Sequence, residues 1–267
     1  MAYARNDGVD LYYEADGEGP TVAFVPTVGY GAWQWAWQAP PLAGPFETVV
    51  QDLRGTGRSD TPAGPYDVDA LVGDLAAILA EVGTDRVHLV GQGVGGVVAL
   101  EYARQHGRAR SVAVLGSPDG EHDLPGRIDD VLGAPTDDEA ALRASLTPAL
   151  SGAFREGQPD VVDGIVDWRR EDDATSEAWE AQADAIEAYE RDWPLYEMTL
   201  PALVVHGTDD EVVPVDHGRT LGEGLPNGTF VPADGAGHLV GVERSREVND
   251  RLFGFLEANA DLDLSDR

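Results

Sequence analysis

Cysteine is absent from this chain. Its absence removes disulfides, a thiolate nucleophile and thiolate metal sites together. Lysine is absent as well: all 18 basic residues are arginine, set against 49 aspartates and glutamates, for a formal net charge of −31. The acids are spread along the whole length rather than gathered in a tail. A surface so charged repels itself at low ionic strength and is quietened where salt screens it within a few Å. The composition therefore predicts a salt-adapted protein of a high-salt cytoplasm. The same field makes nucleic acid and anionic membranes poor partners. An apolar run of about 18 residues, the length a membrane span needs, occurs nowhere. Residues 1–8 hold no apolar core of signal-peptide length. A soluble protein that stays where it is made is expected.

What is present is the pattern of one large α/β domain, and 267 residues with 42% hydrophobic content are enough to build it. Val9 to Glu14, Thr21 to Pro26, Phe46 to Gln51, Val87 to Gly91, Val112 to Gly116, Pro201 to His206 and Thr229 to Val231 read as strands. Ala70 to Val82 carries Leu71, Leu75, Ile78 and Leu79 on one helical face and closes at Gly83. Val215 to Leu225 and Val242 to Leu256 read as further helices, and the acidic tail to Arg267 as loose chain. Strands alternating with helices imply a mostly parallel central sheet with helices on both faces. Residues 119–198 depart from that pattern. They are acidic and helical, with Trp168, Trp179 and Trp193 and no convincing strand, and read as a helical cap inserted into a core of residues 1–118 and 199–267. The segment Trp33-Gln34-Trp35-Ala36-Trp37 reads as an amphipathic helix stopping at Pro40-Pro41, its indoles packed in the core or lining a pocket.

The stretch Val87 to Leu100 runs from a β-branched strand through a glycine knot into a helix, so that helical N–H groups point into the turn. Read as Gly91-x-Gly93-x-x-Gly96, it fits a dinucleotide fingerprint. Read as Gly91-x-Gly93-x-Gly95-Gly96, it fits a nucleophile elbow whose central serine is replaced by Gly93. Further on, Gly207-Thr208-Asp209 follows a strand, and Gly237-His238 lies in a glycine loop. Elbow, acid and histidine in that chain order are what the elbow arrangement requires. A carboxylate at Asp209 would hold His238 in one tautomer and stabilise its protonated form. The dinucleotide fingerprint belongs after the first strand of its fold. Here two strand units precede the glycines, although Asp119 stands at a suggestive distance beyond them.

Asp52-Leu53-Arg54-Gly55-x-Gly57-x-Ser59-Asp60, Gly91-Gln92-Gly93-Val94-Gly95-Gly96, Gly207-Thr208-Asp209 and Gly237-His238 together resemble the α/β-hydrolase superfamily over nearly the whole chain. The resemblance implies that Asp209 is the triad acid and His238 the triad base, with an oxyanion hole formed by the N–H groups of Val28 and Val94. It implies serine-hydrolase chemistry on a small ester, lactone or similar carbonyl substrate, bound under the cap. The family usually writes His-Gly ahead of the first oxyanion-hole residue, and here Pro26-Thr27 stands there. Without a hydroxyl at position 93 no acyl-enzyme can form there. Glycine is at ease at a position that normally has φ > 0, a strain of roughly 1–3 kcal/mol for other residues. Three readings stay open: an enzyme in which His238 and Asp209 act directly on water or substrate, a small-molecule-binding pseudoenzyme, or a serine hydrolase whose nucleophile has been removed. Asp52 and Arg54 are expected to brace their own loop, and His88, His106 and His206 to be packing residues. Ser117 is the one serine placed near enough to act as a substitute. No cofactor is expected. Nor is a metal, since Glu121, His122 and Asp123 are consecutive and cannot all face one ion.

Overall fold

The computed structural model describes residues 2–120 and 124–260. Glu121, His122 and Asp123 and the tail 261–267 lie outside the described residues. The strands are β1 (Ala2–Asn6), β2 (Val9–Asp16), β3 (Thr21–Val25), β4 (Glu47–Gln51), β5 (Val87–Gln92), β6 (Ala109–Leu115), β7 (Ala202–Gly207) and β8 (Gly228–Ala233). They form one sheet in the order β1-β2-β4-β3-β5-β6-β7-β8. The first three strands in that order pair antiparallel, and from β4 across to β8 every pairing is parallel.

Strands β3, β5 and β7 are buried at every residue, because helices cover both faces of the parallel part. That is why they read as unbroken apolar runs. Strand β1 was not expected. Its signal was the Asp7-Gly8 pair, whose positive φ angles of 48° and 87° form the tight turn that joins β1 to β2.

The helices are α1 (Ala39–Leu42), α2 (Val68–Val82), α3 (Val94–Gln105), α4 (Ile128–Leu132), α5 (Glu139–Ser145), α6 (Gly152–Gly157), α7 (Pro159–Asp172), α8 (Ser176–Glu187), α9 (Val215–Gly224), α10 (Val240–Glu243) and α11 (Ser245–Asn259). Helix α2 starts where the Asp67 side chain accepts the Ala70 N–H at 2.7 Å and ends on left-handed Gly83. Such a cap contributes about 1 kcal/mol. It buries Leu71, Leu75, Ile78 and Leu79, the face read from the sequence. The tryptophan segment is a single 3-10 turn, Ala32–Trp35, and not a longer helix. Pro40 and Pro41 open α1 instead of stopping a helix, since the first turn needs no N–H from them. The C-terminal helix is broken into α10 and α11 at Arg244. Between β6 and β7 lie α4 to α8, with no strand among the described residues. No described helix is long and apolar enough to cross a membrane.

Candidate functional site

The parallel strands deliver the elbow and its partners to one end of the sheet, where the C-termini of β5 and β7 lie. Strand β5 ends at Gln92, Gly93 makes the turn, and Val94 begins α3. Gly93 has φ +54° and ψ −125°, a conformation that L side chains rarely adopt. Its N–H donates to Leu115 O at 2.9 Å, and its carbonyl accepts the Gly96 N–H at 3.0 Å. Gly95 allows α3 to approach the loop after β3 so closely that a β-carbon there would strike the carbonyls of Val25 and Pro26.

His238 is fully buried, and its Nδ1 lies 2.9 Å from a carboxylate oxygen of Asp210. Asp209, the acid expected from the sequence, is not at this site. The turn after β7 carries its side chain to the exposed surface, where it accepts the Thr208 hydroxyl at 3.2 Å. Asp210 faces inward because its Oδ1 accepts the N–H groups of Val212 and Val213 at 2.9 and 2.8 Å. An acid followed two and three residues later by free N–H groups, with Pro214 ending the run, was the available signal. The other oxygen, Oδ2, also lies 3.1 Å from His206 Nε2, which is itself 2.9 Å from Val213 O. His206 therefore sits directly behind the acid, a contact that its reading as packing missed. Burial alone would raise the Asp210 pKa. The His238 imidazole, with hydrogen bonds from both histidines, outweighs burial and holds the carboxyl well below the usual range.

With Nδ1–H given to Asp210, the tautomer assigned to His238 leaves Nε2 as a lone pair. That atom is buried and has no partner among the described residues. It lies 3.1 Å from the point where a β-carbon on Gly93 would stand. Thr27 Oγ1 also comes close to the same point, well under 3.0 Å away. Thr27 is fully buried, and its hydroxyl accepts the Val94 N–H at 3.3 Å. Its own N–H donates to Gln34 Oε1 at 2.9 Å. Sequence reasoning treated Thr27 as a departure from a pattern and not as a group at the site. The Val28 N–H has no acceptor among the described residues.

The other candidates fall elsewhere. Ser117 Oγ donates to Pro118 O at 3.2 Å and lies against Gly96, with no contact to His238. Arg54 makes two 2.6 Å bonds to Asp74 of α2, while Asp52 accepts Ala32 N–H at 3.0 Å and Arg58 Nε at 2.9 Å, so both pin the loops around them. His88 bonds Ser111 Oγ at 2.7 Å within the sheet. Burial pushes the Tyr30 hydroxyl up to about 12, partly opposed by Arg169, so it supplies no phenolate base at neutral pH.

The segment between β6 and β7 packs on the loop after β3. Trp179 of α8 lies on Gly29, leaving no room there for a side chain. The Gly29 N–H donates to Gln182 Oε1 of α8, and Ala174 N–H donates to Gly29 O at 2.8 Å. A cavity of about 220 Å³ lies between the loop after β6 and α8, lined among others by Pro118, Leu124, Arg127, Ile186 and Tyr189.

Comparison with known proteins agrees with the fold. The chain is 27% identical over 270 residues to a putative carbamate hydrolase of Azorhizobium caulinodans, covering 96% of this chain and 98% of that protein. It is 30% identical to a non-heme chloroperoxidase of Kitasatospora aureofaciens over 88% of this chain and 91% of the relative. Among solved structures, the enol-lactonase from Burkholderia xenovorans superposes with a TM-score of 0.86 at 26% identity, over 96% of this chain and all of the other. The family model described as the alpha/beta hydrolase family matches residues 22–251, and the chain belongs to that family.

Proposed function

We propose that the chain is a hydrolase of small ester or lactone-like carbonyl compounds that works without a covalent intermediate. His238, held by Asp210, acts as a general base on water. The observation that carries this reading is the buried, unpartnered Nε2 of His238, facing the place the missing side chain would fill. A base in hydrogen-bond reach of a water contributes about 10²–10⁴-fold to such a reaction. The enol-lactonase fold neighbour and an N-acyl homoserine lactone degrading enzyme with a TM-score of 0.82 at 26% identity support a lactone-like substrate class. Helices α4 to α8 act as the cap, and the substrate lies beneath them. The protein works in a high-salt cytoplasm.

The test is hydrolysis of short-chain aryl esters and lactones in about 2–3 M KCl, a concentration at which exposed like charges are screened within a few Å. Turnover that disappears in His238→Ala is the expected outcome. Turnover unchanged in that variant overturns the reading. A second reading, a binding protein without turnover, is favoured by one contact: the Val94 N–H, an oxyanion-hole donor by resemblance, is already taken by Thr27. Tight binding of a carbonyl ligand that is indifferent to His238→Ala would establish it.

A further inference from the structure

We propose that the hydroxyl of Thr27 is the group that holds the substrate's carbonyl oxygen in this site. The inference rests on the reading of His238 as a general base. Three observations lead to it. The first amide of α3, Val94 N–H, ends on Thr27 Oγ1 at 3.3 Å, so the donor at the helix N-terminus is passed on to a hydroxyl. That hydroxyl retains its own proton, which finds no acceptor among the described residues. Finally, the same oxygen and His238 Nε2 both lie close to a single point in space, the position of an absent β-carbon on Gly93. A donor and a base brought near one point are what addition of water to a carbonyl needs.

The hydroxyl is also held still. Thr27 N–H is bonded to Gln34 at 2.9 Å, Gly95 backs against the carbonyls of Val25 and Pro26, and Gly29 is bonded on both sides to the segment 174–182. A donor fixed before the reaction need not reorganise as charge develops. The amide dipole behind it polarises its O–H further.

The step balances as follows. Water gives a proton to His238 Nε2 while its oxygen bonds to the carbonyl carbon. The π pair moves to the carbonyl oxygen, which is held by Thr27 O–H and Val28 N–H. Collapse re-forms the carbonyl and breaks the bond to the alkoxide, which takes the proton back from His238. The products are an acid and an alcohol, and nothing is oxidised or reduced.

The experiment compares 4-nitrophenyl acetate hydrolysis by the unaltered chain, Thr27→Val, Thr27→Ser and His238→Ala in high KCl. Removal of one oxyanion donor costs about 10²–10³-fold in kcat. The expected result is a loss of that size in Thr27→Val with KM nearly unchanged, and recovery to within a few-fold in Thr27→Ser. A purely structural role would not be restored by serine while sparing KM. If Thr27→Val keeps full kcat while His238→Ala is inactive, the Thr27 inference falls and the general-base reading stands. If no form hydrolyses the ester, the general-base reading falls. Thr27 is then read by calorimetric binding of benzoate, where an affinity about tenfold weaker in Thr27→Val supports its donor role and equal affinity overturns it.

Discussion

Asp210 is a buried carboxylate with both oxygens close to donors. Two backbone N–H groups meet one oxygen, and two imidazoles meet the other. Removing its charge is expected to cost much of the base's strength: a triad acid changed to its amide loses about 10⁴-fold in kcat. Asp210→Asn should therefore abolish ester turnover, while Asp209→Asn, altering an exposed side chain, should leave it unchanged. Steady-state kinetics of the pair would decide between the two adjacent acids. The linkage with pH has a definite sign. Because the folded Asp210 pKa is depressed, its contribution to stability is present above the unfolded value near pH ~4 and is lost as pH falls through the folded value. Acid unfolding followed by circular dichroism should be steeper for the unaltered chain than for Asp210→Asn. His206→Asn, which withdraws a donor from Asp210 and from Val213 O, is expected to destabilise by about 1–3 kcal/mol in urea titrations.

These residues also mark what the sequence could disclose. His238 and Gly93 stood out because glycine spacing and chain order constrain them. Asp210 was obscured because three acids follow one another at 209–211, and only the direction of the turn separates them. Thr27 was hidden for another reason: nothing in a loop's sequence says that its side chain meets an elbow 67 residues further along the chain, as the Thr27–Val94 bond shows.

At the level of elements, the inserted helices grip both loops that carry the site. Gln182 and Ala174 hold Gly29, while Ala149 O accepts Leu239 N–H and Ser151 bonds Glu243, the residue that also accepts Gly237 N–H. Within the inserted segment, buried Arg169 gathers α4, α5 and α7. Its guanidinium donates to Leu132 O, Leu142 O and Ser145 Oγ, and pairs with Asp173 at 2.6 Å. Arg169→Met leaves Asp173 buried without its counter-charge and is expected to cost about 3–5 kcal/mol, seen as early loss of amide protection across 128–187 in hydrogen exchange. Gln182→Leu, by contrast, should leave the fold intact and speed exchange at Gly29. The sequence disclosed that this segment is helical but not how it is tied down. Besides apolar packing, its ties are long-range hydrogen bonds, which carry no periodicity.

For the whole molecule, the decisive quantity is charge. Eighteen arginines cannot neutralise 49 acids, and the surplus of 31 is carried on one domain. Self-repulsion falls as the Debye length shrinks from about 10 Å at 0.1 M to about 3 Å at 1 M salt. Melting temperature should therefore climb with KCl over that range. A flat profile would mean that the acids are already compensated locally. The overall architecture was readable because strand and helix periods alternate over most of the chain. The eighth strand escaped because β1 is a short, half-exposed edge whose pattern is faint.

The crowding between positions 27 and 93 bears on what each position can accept. A side chain added at 93 meets the Thr27 hydroxyl, which has to turn or shift to admit it. Glycine at 93 and threonine at 27 suit one another as they stand: the turn carries no side chain, and the hydroxyl occupies the room that one would take.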